Sequence, residues 1–207
     1  MATDPKSRTP DPKPRTPLEP AQRRGRSTRY RIIEQTALLC AQRPGAEPSV
    51  AQIAAAAGVF PNQVTYYFGS KDSLLVHAAF LGLLHDAEAI ESVGLRTADA
   101  ASFRAEIAHA VLALPSLPSV ARALAAAVSR PALAPVVDKH RDLLFRQSAR
   151  YLRRLMRERG WSLARTPEIE SRTFWSTALG AVLLARAGSA GAAADLDLAG
   201  TLTVREN

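Results

Sequence analysis

One cysteine, Cys40, is all that the 207 residues contain. That excludes an intramolecular disulfide and suits a reducing compartment, with Cys40 expected to pack as a small buried hydrophobe. Aromatic residues are few, at 6%, and β-branched residues are sparse beside alanine and leucine. Helices are favoured throughout, and no strand pattern is found. Long apolar runs are missing as well. The first 31 residues hold none, so no secretory signal is read there. The least polar stretch, Thr173 to Ala185, is broken by Arg186 after thirteen residues, short of the roughly 20 that a bilayer span needs. A cytoplasmic protein without membrane contact is the expectation. Catalytic patterns are absent too. His77, His85, His109 and His140 are scattered, without H-x-x-x-H or C-x-x-C spacing, and there is no G-x-S-x-G or phosphate-binding glycine loop. No enzyme activity, catalytic residue, metal or cofactor is expected.

What the chain has in excess is positive charge, a net +8, and it is unevenly placed. Residues 1–31 carry nine basic and three acidic side chains, so six of the eight net charges lie there. Within that segment "DPKSRTP" (Asp4 to Pro10) is followed at once by "DPKPRTP" (Asp11 to Pro17). Two copies are too few for a solenoid, and so much proline without apolar side chains predicts a disordered basic arm over 1–27. Such an arm serves either solubility or attraction to phosphates.

The remainder reads as helices joined by short loops, an all-α protein. The first helix is predicted from about Thr28 to Gln42. Ser49 and Gln52 form a Ser-x-x-Gln capping box opening a short helix that ends at Gly58. Pro61 suits the first position of a third helix, which stops near Phe68. Ser70 caps a fourth, predicted to about Ser92. Phe103, Ile107, Val111 and Leu114 mark another helix, ended by Pro115. Ser119 opens the next, which stops before Pro131, and Pro135 begins a long helix to about Arg159, closed by Gly160. Thr166-Pro167-Glu168 reads as N-cap, first position and first-turn acid of a helix to about Ala187. "GSAGAAAD" is a loose connection, and Asp195 to Val204 is read as one last short helix.

The second and third helices, joined by Gly58 and Val59, have the proportions of a helix-turn-helix, whose later helix enters the DNA major groove. Asn62 and Gln63 are amides able to pair with base edges, bidentately with adenine. Thr65, Tyr66 and Tyr67 offer hydroxyls to phosphate oxygens, and Lys71 stands at the start of the fourth helix, where its charge joins free backbone N–H groups. A plain helical hairpin inside a bundle, with the tyrosines as half-buried anchors, is the other reading of the same residues. "SVAQIAAAAGVFPNQVTYYFGSKDSLL" (Ser49 to Leu75) resembles the DNA-binding segment of the TetR family of bacterial transcriptional regulators. The resemblance rests on Ser49, Ile53, Ala54, Ala57, Gly58, Val59, Tyr67, Phe68, Ser70, Lys71, Asp72 and Leu74, and on "RIIEQTALLC" for the first helix. Phe60 stands where the family has Ser, Asn62 and Gln63 where Gly and Thr are common, and Thr65 where Tyr is common. The base-facing residues are therefore altered. The resemblance implies phosphate contacts at Tyr67 and Lys71. Asn62 and Gln63 are the expected base contacts, with Ser49, Thr65 and Tyr66 beside them. Next to such a motif, Arg23, Arg24 and Arg26 are expected to contact DNA from a flexible arm, in the minor groove.

Three parts result: the arm over 1–27, a DNA-binding domain over 28–76, and a helical regulatory and dimerisation domain over 77–207. The resemblance implies that the last part encloses a cavity for a small-molecule effector and forms a homodimer through its C-terminal helices. Ala178, Gly180, Ala181, Val182 and Ala185 are small enough for close helix packing. Phe103, His109, Phe145, Tyr151 and Trp175 are the candidate ligand contacts, each equally readable as core. The expected function is a sequence-specific regulator on a pseudo-palindromic double-stranded site, a repressor released by its ligand. Its rivals are a nucleoid-type protein binding DNA without sequence choice, and a helical ligand carrier or enzyme retaining a vestigial helix-turn-helix.

Overall fold

The structure, a computed structural model, describes residues 20–43, 46–188 and 197–207. The tandem repeat and most of the "GSAGAAAD" connection lie outside the described residues. Eight α-helices follow in order: α1 (Pro20–Gln42), α2 (Val50–Ala57), α3 (Pro61–Phe68), α4 (Lys71–Arg96), α5 (Ala100–Leu112), α6 (Leu117–Ser129), α7 (Ala134–Arg159) and α8 (Pro167–Arg186).

Two cores divide the helices. The smaller joins Ile32 and Ile33 of α1, Ile53 and Ala57 of α2, Val64 and Phe68 of α3, and Leu74 and Ala78 of α4. Ile32, Ile53 and Leu74 are fully buried, each worth about 1.5–3 kcal/mol relative to an exposed side chain. The larger core centres on Phe103, Val111, Leu117 and Val120 from α5 and α6, closed by Phe174, Trp175 and Ala178 of α8. Helix α4 belongs to both: its first turns supply Leu74 and Ala78 to one, and Val76, Phe80 and Leu83 to the other. By length and composition α4 also passes for a membrane span, but these apolar side chains are spent on protein packing.

Three expectations are corrected. Helix α1 begins at Pro20, not near Thr28, so Arg23, Arg24 and Arg26 lie in its first turns rather than on a disordered arm. Proline costs nothing in a first turn, and contact with α3 supports the extension: a Cβ at Gly25 would stand 3.8 Å from the Tyr67 hydroxyl. The chain also has strands, β1 (Trp161–Leu163) and β2 (Val204–Glu206). They pair antiparallel with Trp161 opposite Glu206 and Leu163 opposite Val204. The expected last helix is a single 3₁₀ turn, Ala199–Thr201, leading into β2. Glu170 explains the tail's position. Its fully buried carboxylate accepts from Arg165 Nε at 2.9 Å and from the Thr203 N–H at 3.1 Å, and the Thr203 hydroxyl donates to it as well.

Elsewhere the boundaries shift little. Helix α4 runs four residues past Ser92, to Arg96, and α6 starts at Leu117 rather than Ser119. Cys40 is half-buried rather than buried, and burial pushes its thiol pKa up.

Candidate nucleic-acid interface

Helix α2 opens with the reciprocal cap read from the sequence. Ser49 Oγ accepts from the Gln52 N–H at 3.2 Å, while Gln52 Oε1 accepts from the Ser49 N–H at 2.8 Å. The helix ends on Gly58, at φ 59° and ψ 46°, whose N–H donates to the carbonyl of Ala55 at 3.2 Å. A side chain is strained in that left-handed conformation, which glycine adopts freely. The turn leaves Val64 and Phe68 of α3 facing the small core, so the opposite face of α3 is presented to solvent.

On that face Asn62, Thr65 and Tyr66 are exposed, Tyr66 to 82%, and Tyr67 is partly covered. The two tyrosines pack edge to face with centroids 5.1 Å apart. Phe60, the N-cap residue, supplies no side-chain cap and is itself 77% exposed. Gln63 fills part of that gap: its Oε1 accepts from the Phe60 N–H at 3.1 Å. One lone pair of the oxygen is thereby held at the helix start, and the amide's two N–H donors remain for a base edge. Adenine needs both a donor and an acceptor; the second lone pair of Oε1 remains for that acceptor role while the cap holds the side chain against the helix start.

The remaining sequence-predicted contacts lie on α1, before α2 and at the start of α4. Ser49 is exposed; its hydroxyl oxygen accepts the cap bond, which leaves its O–H to donate. Lys71 Nζ pairs with Glu47 at 3.1 Å. That partner leaves no trace in the sequence pattern, because Glu47 lies in the loop before α2 and Lys71 in the first turn of α4, far apart along the chain. Arg24 and Arg26 are exposed on α1, whose first turns lie close to Tyr67. The Arg23 side chain lies outside the described residues.

A second feature lies on the other side of α4. A cavity of about 1360 Å³ runs between α1, α4, α7 and α8. Of the five candidate ligand contacts, Tyr151 and Trp175 line it and the other three do not. Phe103 is fully buried in the larger core, Phe145 packs against that core, and His109 is exposed on α5. Trp175 Nε1 donates to Ser148 Oγ at 2.7 Å, and the Tyr151 hydroxyl accepts from the Gly94 N–H at 3.2 Å. Only a glycine at 94 lets that hydroxyl approach, since a Cβ there would collide with it. Burial pushes the Tyr151 pKa up to about 12.

At one end of the cavity stands a chain of polar groups that sequence reasoning missed. An Arg29 guanidinium nitrogen lies 2.9 Å from His77 Nε2, and His77 Nδ1 lies 2.7 Å from His140 Nε2. Arginine only donates. His77 Nε2 therefore accepts, Nδ1 carries the proton and donates to His140 Nε2, and the His140 proton sits on Nδ1. Burial first, then the Arg29 charge, lowers the His77 pKa to about 4; burial and Lys139 lower that of His140. Both rings are neutral at pH 7. Phe80 stacks on His140 with centroids 5.0 Å apart, and Arg29 lies 4.9 Å over the Phe68 ring at the end of α3.

A three-helix unit with a left-handed glycine turn, and a second short helix presenting polar side chains to solvent, defines a helix-turn-helix DNA-binding regulator. The comparisons with known proteins carry this to a family. Residues 32–78 match the model described as bacterial regulatory proteins, tetR family. Residues 100–203 match a bacterial transcriptional repressor C-terminal model. The chain belongs to the TetR family of bacterial transcriptional regulators. No curated protein matches it. Among solved structures, a candidate transcriptional regulator from Rhodococcus sp. RHA1 is 27% identical, with 80% of this chain and 90% of that one covered and a TM-score of 0.64. A candidate TetR-family regulator from Mesorhizobium loti MAFF303099 is 15% identical, covers 86% and 94%, and scores 0.56. A candidate regulator from Saccharomonospora viridis, in complex with choline, is 18% identical, covers 85% and 94%, and scores 0.53. The last two, at such identity, show likeness of fold.

Proposed function

We propose that the chain is a cytoplasmic, dimeric repressor that binds a pseudo-palindromic operator and leaves it when a small molecule occupies the cavity. It acts by binding rather than by catalysis. The observation that carries the DNA reading is the exposed face of α3, where Asn62, Gln63, Thr65 and Tyr66 stand together behind the Gly58 turn. Asn62 and the N–H donors of Gln63 read base edges; Tyr66, Tyr67, Ser49 and Lys71 hold phosphates. Lys71 exchanges Glu47 for a phosphate on binding. Arg24 and Arg26, being helical, meet the backbone beside Tyr67 rather than entering a groove as a loose arm.

Dimerisation is supported by the outer face of α8. Ala178 and Ala181 are buried within the protomer's own core, so the stripe of small residues is split between uses. Ile169, Leu183 and Leu184 remain 37–49% exposed, an apolar surface for a second copy. A two-fold pair places two recognition helices in successive major grooves, which makes the operator a pseudo-palindrome. The cavity's volume, above the roughly 300–1,000 Å³ of usual ligand pockets, supports an effector site.

Selection of bound sequences from a random DNA pool with the full-length protein, at near-physiological salt, tests this. A pseudo-palindromic consensus is expected. Binding without consensus that vanishes as salt rises would instead fit a nucleoid-type protein. No binding even at low salt would leave a ligand-binding protein with a vestigial helix-turn-helix.

A further inference from the structure

The cavity's two kinds of wall differ in chemistry. Apolar side chains from α4, α7 and α8, among them Phe80, Leu83, Leu84, Leu143, Leu144 and Trp175, line its length. Among the described residues the charged groups along it are nearly all cationic: Arg29, Lys139, Arg150, Arg153, Arg154 and Arg157 against one carboxylate, Glu91. Two of the arginines have acids of their own, Arg154 with Glu91 at 3.0 Å and Arg153 with Glu168. Among the described residues the others pair with no carboxylate.

The end nearest α1 is the least compensated. The hydrogen bonds that begin at Arg29 run through His77 and finish on the His140 Nδ1–H, which has no acceptor among the described residues. Arg29 and Lys139 are the charged side chains acting on this pair, both positive, and among the described residues no carboxylate acts with them. A half-buried donor flanked by two cations, at the head of an apolar trough, lacks one partner: an anion attached to an apolar body.

We propose that the cavity takes an amphiphilic organic anion. Its acid group accepts from His140 Nδ1–H and pairs with Lys139 and Arg29, and its apolar body lies along α4 and α7 toward Trp175. This names the effector's chemical class and rests on the reading of the cavity as an effector site. It also supplies a route to the DNA-binding surface. Arg29 belongs to α1 and lies over Phe68, the last residue of α3. An acid group that draws on Arg29 therefore binds differently according to how α1 and α3 sit against α4 and α7, and differential binding of this kind is what shifts a conformational equilibrium.

Three probes sharing one tail test the class: decanoate, decan-1-ol and decyltrimethylammonium. Each is titrated, below its micelle concentration, into the full-length protein by calorimetry and by tryptophan fluorescence. Decanoate is expected to bind at least tenfold tighter than the other two. Lys139→Ala, at an exposed position, and His140→Phe, which keeps the ring stacked on Phe80 but removes the donor, should each weaken decanoate about tenfold and leave decan-1-ol unchanged. Thermal melts of both variants establish that they fold. Equal or tighter binding of the alkyl cation overturns the proposal, as does unchanged decanoate affinity in Lys139→Ala, or failure of all three probes to bind. Operator binding is read separately. Decanoate that binds without altering DNA affinity sustains the site and sinks the repressor-release reading. A cation that binds and releases DNA does the reverse.

Discussion

Replacing Gln63 with glutamate or alanine separates the two uses of that side chain. In the free protein its Oε1 accepts from the Phe60 N–H at 3.1 Å, at a solvent-facing helix start. An exposed capping bond is worth the low end of the usual range, about 0.5 kcal/mol. Gln63→Ala should therefore lower folding stability by that amount. It also removes a base contact, which costs about 1–3 kcal/mol at one operator position. Gln63→Glu keeps an acceptor for the Phe60 N–H and adds a negative charge in the first turn of α3. Together with the helix dipole that should raise stability by about 0.3–1 kcal/mol. Toward DNA the same change removes two N–H donors and sets a carboxylate among phosphates, so affinity should fall roughly ten- to a hundredfold, by about 1–3 kcal/mol. With the oxygen held at the cap, wild-type Gln63 offers its two N–H donors and one remaining lone pair. At its position the operator should favour a base with an acceptor on its major-groove edge, guanine, adenine or thymine, over cytosine. Urea denaturation measures the first quantity. Fluorescence anisotropy against operators carrying each of the four bases measures the second. A Gln63→Glu protein that is less stable than wild type, or that binds DNA as tightly, would refute the assignment.

Three further outcomes follow from other parts of the molecule. Lys71→Ala removes an exposed ion pair, so stability should change by less than about 0.5 kcal/mol, while affinity falls alike for all DNA sequences and the salt dependence becomes shallower by about one unit; a loss confined to one sequence would contradict a phosphate role. His77 has a native pKa of about 4, against roughly 6.5 unfolded. As pH drops below about 6.5 the unfolded chain takes a proton that the native state refuses. Stability should therefore decline from pH 7 toward 4 and level off below that; solvent screening of this half-buried ring limits the loss to about 1–2 kcal/mol. Urea midpoints across that range measure it, and His77→Gln should flatten the slope; an equal slope in the variant would exclude His77 as the cause. Glu170→Ala strands Arg165 and frees the residues before β2, at a cost of about 3–5 kcal/mol, read as an earlier thermal melt and as protease cleavage near Thr203.

The helix-turn-helix was legible in the sequence because its determinants are local. A Ser-x-x-Gln cap closes hydrogen bonds within four residues, a glycine supplies the left-handed φ at Gly58, and Thr166-Pro167 starts α8 with its own side chain. Such features depend on near neighbours, so composition and spacing reveal them. Periodicity likewise exposed the long helices. What escaped was whatever needs a distant partner. Helix α1 extends back to Pro20 into a run with no apolar periodicity, where α3 comes close at Gly25. β1 and β2 have three residues each, too few to show alternation, and they pair across some forty residues of chain, with the Glu170 carboxylate tying Arg165 and Thr203 beside them. The Arg29, His77 and His140 chain joins residues 48 and 63 positions apart. Nothing in any one segment announces it. The sequence by itself determined where the capped helices α2, α4 and α8 start and which short helix carries the polar face. The tertiary structure alone decided which oxygen of that face is already occupied, which lysine has an acid beside it, and where unpaired cations surround an apolar cavity. Hydrogen bonds between near neighbours are encoded by order along the chain, whereas burial and charge pairing are set by how the helices pack.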